Sequence, residues 1–277
     1  MESFEKQFNQ PKPPEETKNP EANQEILPVS EPSRKLPENL DEFSEGYKEN
    51  QEKNLKLEEI RQKVENIYDR LGHPIDEGIK ESVVMFEANE LPTSASCEGH
   101  IERGLPVPWV DVSAPNEPEE KFVDQNEVFE KVAKKYNITL EEVKTSKIDE
   151  AYWEAMKECS QNEETKEYQK WEKENERLLA KGRNLLDEFY KERKVESDIK
   201  LEVEEGAGYF RIHNGGKDYK PVIEEEREFT EEEKKARAEK LEKYRLEMKE
   251  FTNFLKEKYF TYNLSGLKSE FKDLETM

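Results

Sequence analysis

Apolar residues recur along this chain at two spacings, and the switches between them mark its parts. From Asn54 onward, Leu57, Ile60, Val64, Ile67 and Leu71 stand three or four apart, which predicts a helix ended by Gly72 as C-cap. His73-Pro74 makes a corner, and Asp76 is placed to cap a second helix with Ile79, Val83 and Phe86 inside, ending near Asn89. Thr93 to Cys97 follows Pro92 and is too short and small-sided for a helix, so it reads as a strand or extended loop, and Trp109 to Val112 reads as a second strand. Gly104, Pro106 and Pro108 occupy the loop between them.

Helical spacing returns at Asp124, with Val128, Phe129, Val132 and Tyr136 on one stripe. Thr139 with Glu142 has the spacing of a capping box, stapled by Ile138 and Val143. Two more stripes follow: Ile148, Tyr152, Met156 and Cys159, then Tyr168, Trp171, Leu178, Leu185 and Phe189 in a helix over 164–193. Ile199, Leu201 and Val203 alternate with charges and turn at Gly206-Ala207-Gly208 into Phe210 and Ile212, a hairpin over 199–213. Thr230 and Glu233 open a last helix over 230–259, carrying Leu241, Tyr244, Met248, Phe251, Leu255 and Tyr259.

These elements define an α+β fold: a small mixed core over 54–123, completed by the hairpin 199–213, with long amphipathic helices over 124–193 and 230–259. Residues 1–53 read differently. Seven of the 14 prolines fall between Pro11 and Pro37 among charged and amide residues, which predicts a disordered tail because so little apolar surface cannot offset chain entropy.

Charge narrows the function classes. With 67 acidic and 45 basic residues the formal net charge is -22, so neither nucleic acid nor an anionic membrane is an expected partner. Val132 to Met156 has helix-turn-helix spacing, yet Glu141 and Glu142 open the helix that would read bases. Two cysteines without a paired framework fit a reducing compartment, and MESFEKQFNQ lacks the apolar core of a signal peptide, so the cytoplasm is the expected location.

One stretch carries the candidate chemistry. Leu91 to Ala114 gathers Cys, His, Gly and Trp in an otherwise Glu/Lys-rich chain. Cys97 and His100 are the candidate catalytic residues, because an imidazole neighbour can lower a thiol pKa. A straight strand would point them to opposite faces, and a turn at Gly99 would bring them together. Ser96, Glu98, Gly99, Arg103, Trp109 and Asp111 are the candidate ligand-binding residues around a small molecule.

The alternative is a structural turn with Cys97 packed as a small hydrophobe, in an interaction protein that meets a protein partner through the helices 164–193 and 230–259. Cys-x-x-His is half of a zinc site, and His73, His213 or Asp111 would have to converge on it, so no metal is expected from spacing alone. The sequence names no cofactor.

Thr93, Ser96, Cys97, Glu98, Gly99 and His100, followed by Pro108, Trp109 and Asp111, form a string that resembles an uncharacterised bacterial domain. The resemblance spans His73 to Val112 and implies no particular activity. The segment is also similar, more distantly, to the tRNA wybutosine methyltransferase family, with its Ser-Ser-Cys-Ser-Gly-Arg signature. That similarity implies a methyl donor and tRNA; here Ala95, Glu98 and His100 replace three of its positions.

Overall fold

The computed structural model describes residues 40–69, 71–102, 104–216 and 229–261, with side chains from residue 48 onward. Its elements, in chain order, are α1 (Leu40–Glu65), α2 (Lys80–Ala88), β1 (Thr93–Cys97), β2 (Trp109–Val112), α3 (Gln125–Tyr136), α4 (Leu140–Lys144), α5 (Asp149–Cys159), α6 (Lys166–Tyr190), β3 (Leu201–Glu205), β4 (Phe210–Asn214) and α7 (Glu231–Thr261). The four strands form one antiparallel sheet in the order β1-β2-β4-β3. The hairpin therefore joins the sheet of the 54–123 segment, and the α+β expectation holds.

Register explains how the sheet separates its two faces. Val110 pairs with Ile212 and Val112 with Phe210, and all four are buried. Alternation sends Trp109, Asp111, Arg211 and His213 to the other face. The apolar face packs into one core with Val83 and Phe86 of α2, Trp171, Leu178 and Leu186 of α6, and Met248, Phe251 and Leu255 of α7. Helices on one face of an antiparallel sheet bury both elements' apolar sides at once. Gly182 is the close-approach point of α6, where an added Cβ would lie 2.7 Å from the Phe210 ring.

The stripe of α7 is buried as its spacing predicts: Leu241, Tyr244, Met248, Phe251 and Leu255 are each at most 5% exposed. Truncating any of the aliphatic members to Ala would cost about 2–5 kcal/mol. Both capping boxes form. Thr139 Oγ1 accepts from Glu142 N at 3.2 Å, and Thr230 Oγ1 accepts from Glu233 N at 3.3 Å. Helices α3, α4 and α5 close a second, smaller core from Phe129, Val132, Val143, Ala151, Ala155 and Cys159.

Four sequence expectations are corrected. Residues 48–53 belong to α1 rather than to a tail; Lys53 ties that helix to the end of α7, its Nζ donating to Phe260 O at 3.2 Å. Of the rest of the expected tail, 1–39 lies outside the described residues. Helix α1 also stops at Glu65, leaving Ile67 and Leu71 exposed, because the Asp69 carboxylate captures Leu71 N and His73 N, both at 2.8 Å. An Asx turn of this kind competes directly with helical hydrogen bonding. On α5 the stripe holds for Cys159, which is buried, and for Tyr152 and Met156, which pack half-buried against the same core, but Ile148 is 37% exposed and Ala151 and Ala155 join the buried face. Small residues there let α5 approach α3 closely. Asp76 does not cap α2, whose N-cap is Ile79 without a side-chain bond.

No described helix is long and apolar enough to cross a membrane.

Candidate functional site

Strand β1 ends at Cys97, and the chain reverses immediately after it. Gly99 makes this possible with φ +81, a region that costs other residues strain. It is also boxed in: a Cβ there would sit 2.7 Å from the Val107 carbonyl carbon and 2.8 Å from Leu241 Cδ1. His100 N then donates to Leu105 O at 3.1 Å and closes the turn.

The turn is clamped from α7 and from the loop before α2. Arg245 Nε donates to Glu98 O at 3.0 Å, and its Nη2 donates to Glu98 Oε1 and to Gly99 O, each at 3.0 Å. The other Glu98 carboxylate oxygen accepts from Gly78 N at 2.8 Å. Glu98 is thus a strut that braces the turn.

Asp76 supplies the group that sequence spacing missed. Its Oδ2 accepts from Glu98 N at 3.3 Å and lies 3.4 Å from His100 Nε2. Asp76, Cys97 and His100 are all half-buried, and their donor atoms lie within 4.8 Å of one another. The turn at Gly99 does bring Cys97 and His100 together, as the sequence allows.

The electrostatics differ from expectation. Burial pushes the Cys97 thiol up; the Gly99 N–H opposes it, and the Asp76 and Glu98 carboxylates add smaller rises. The direction is opposite to the lowering expected from His100, because desolvation, the largest influence, penalises a thiolate.

Of the other expected residues, Trp109 neighbours Cys97 in the sheet, whereas Ser96 faces away from it. Ser96 pairs in register with Val110, so alternation turns it away from Cys97. Trp109 stands opposite Cys97 in the β1–β2 register, but its ring is covered by the Arg211 guanidinium at 3.9 Å. Asp111 is held bidentately by Arg211 at 2.6 and 2.8 Å. Arg103 lies outside the described residues.

The three side chains weighed as further zinc ligands do not converge on Cys97 and His100. His73 Nδ1 sits 3.3 Å from Asp69 Oδ2 in the exposed turn. His213 is buried on β4, its Nδ1 2.8 Å from Asn214 O, and burial lowers its pKa. Asp111 is committed to Arg211.

Beside the turn opens a cleft of about 220 Å³, lined by Gly99, His100 and Ile101 on one side and by Ala238, Leu241, Glu242 and Arg245 on the other. His100 belongs to both the cleft and the three-residue cluster. No protein-family model, curated protein sequence or solved structure matches the chain.

Proposed function

We propose that the chain binds a small molecule at the turn Cys97 to His100, with Asp76 and His100 as the polar pair that meets it and can move a proton. One observation carries the reading. Asp76, remote from the motif in sequence, converges with Cys97 and His100 beside a cleft, with the cluster's donor atoms within 4.8 Å of one another. Imidazole next to carboxylate is a standard acid–base arrangement. A raised Cys97 thiol argues for acid–base or ligand-holding chemistry over thiolate attack.

The scaffold reading has less support. The apolar stripes of α6 and α7, which would meet a protein partner, are largely used within the chain's own core.

A protein-observed NMR screen of the full chain against polar fragments tests the proposal, run with and without added zinc. Shifted resonances should cluster at His100, Ile101, Leu241 and Glu242, and His100→Gln should weaken the hits. Hits confined to other surfaces, or unaffected by His100→Gln, would overturn it.

A further inference from the structure

We infer that Asp76, Cys97 and His100 together bind one divalent late first-row transition metal ion, with zinc as the type. The inference rests on the proposed small-molecule site and names an occupant for it.

The donor set points to this class of ion. A thiolate sulfur, an imidazole nitrogen and a carboxylate oxygen suit zinc, cobalt or ferrous iron, whereas magnesium and calcium take oxygen donors. Two anionic donors, Asp76 and the Cys97 thiolate, would balance the charge of a divalent ion.

The spacing fits as well. Zinc bonds of about 2.0–2.3 Å in a tetrahedron set ligand atoms roughly 3.3–3.7 Å apart. His100 Nε2 and Asp76 Oδ2 are 3.4 Å apart, on that edge length. A direct charge-assisted N–H···O bond would be about 2.7–2.9 Å. The largest donor separation allowed by the cluster is 4.8 Å, so closing on an ion asks for shifts of about 1 Å in half-buried side chains.

Backbone groups already steady two of the donors. Gly99 N donates to Cys97 Sγ at 3.4 Å, and Glu98 N donates to Asp76 Oδ2 at 3.3 Å. Such outer contacts orient ligands and stabilise their negative charge. Glu98 itself is held away by Arg245 and Gly78, which leaves three protein ligands among the described residues. Three ligands are the layout of zinc sites that keep a fourth position for water or substrate, whereas structural sites use four. The fourth position would then take water or an oxygen donor of a small molecule seated against His100.

The full chain, stripped with chelator and desalted, is titrated with Co²⁺ and followed by absorbance; Zn²⁺ affinity is measured by calorimetry. Wild type should take up one equivalent of Co²⁺ with a thiolate-to-cobalt charge-transfer band. Cys97→Ser should abolish the band, and Cys159→Ser should leave it. Asp76→Asn and His100→Gln should weaken Zn²⁺ on the order of tenfold or more. Metal-free melting curves of these two variants, close to wild type, separate lost ligation from lost fold. Absence of a saturable band in wild type, or a band that survives Cys97→Ser, would overturn the inference. If the cobalt band is absent while fragments still shift His100, the metal falls and the small-molecule site stands; if both are absent, both fall.

Discussion

Arg245 holds Glu98 at both ends, donating from Nε to its carbonyl and from Nη2 to its carboxylate. One residue of α7 thereby fixes both the backbone and the side chain of the turn that carries Cys97 and His100. Arg245→Met keeps the aliphatic stem and removes the three donors. It should destabilise the chain by about 1–3 kcal/mol, the range for hydrogen bonds to charged groups that are not fully exposed. Urea unfolding of Arg245→Met, Glu98→Gln and the double variant measures the coupling between the two residues. Strictly additive losses would show that the Arg245–Glu98 side-chain pair contributes nothing and that the clamp acts through the backbone carbonyls of Glu98 and Gly99.

Gly99 separates backbone strain from steric exclusion. Gly99→Ala places a Cβ against Val107 and Leu241 at a positive φ. Gly104 also has positive φ, +62, but nothing within 4 Å of an added Cβ. Gly104→Ala should therefore cost only the left-handed strain, about 1–2 kcal/mol. Gly99→Ala should cost that and a further overpacking loss of about 1–3 kcal/mol. Equal losses in denaturant unfolding would mean that the turn relaxes away from α7.

The parts of this fold that were legible in sequence are those written in local spacing. The stripe of α7 keeps its three-four period from Leu241 to Leu255, and Thr139 with Glu142 encodes a cap within four residues. The start of α1 was hidden because Leu40, Phe43 and Tyr47 keep helical spacing but polar residues then interrupt it before Leu57. Its end was hidden because Ile67 and Leu71 continue the stripe that Asp69 breaks through its own side chain. Of the site, Cys97, Gly99 and His100 could be read from their turn chemistry. Asp76 and Arg245 could not, since only the packing of α2 and α7 around the end of β1 brings them there. The composition of the motif suggested a place, and long-range packing supplied its third donor.

The charge balance bears on nucleic acid. A chain of formal net charge -22 repels phosphate backbones, and α4, which occupies the place of a reading helix, is only Leu140–Lys144 with Val143 buried. Fluorescence anisotropy with labelled tRNA and duplex DNA at physiological salt should show no binding at micromolar protein. Saturable binding that weakens steeply with added salt would reverse this expectation and favour the tRNA-linked resemblance.

The capping box of α4 makes a pH-dependent contribution whose sign follows from Glu142. Its carboxylate takes the Lys147 ammonium and accepts from Thr139 N and Oγ1, and together these hold its pKa at about 2, below the ordinary 4.5. A folded pKa below the unfolded one means that the unfolded chain binds the proton more readily. The stabilisation is then fully present above about pH 4.5 and is lost as pH falls from 4.5 toward 2. Glu142→Gln removes the titrating group while keeping a side chain of similar reach. Wild type should unfold at a higher denaturant concentration than Glu142→Gln at pH 7, and the gap should shrink below pH 4.5 and close near pH 2. Thr139→Ala removes the other half of the box and should cost about 1 kcal/mol at neutral pH. A gap between wild type and Glu142→Gln that stays constant from pH 7 to pH 2 would show that the carboxylate contributes through its shape, with no part played by its charge.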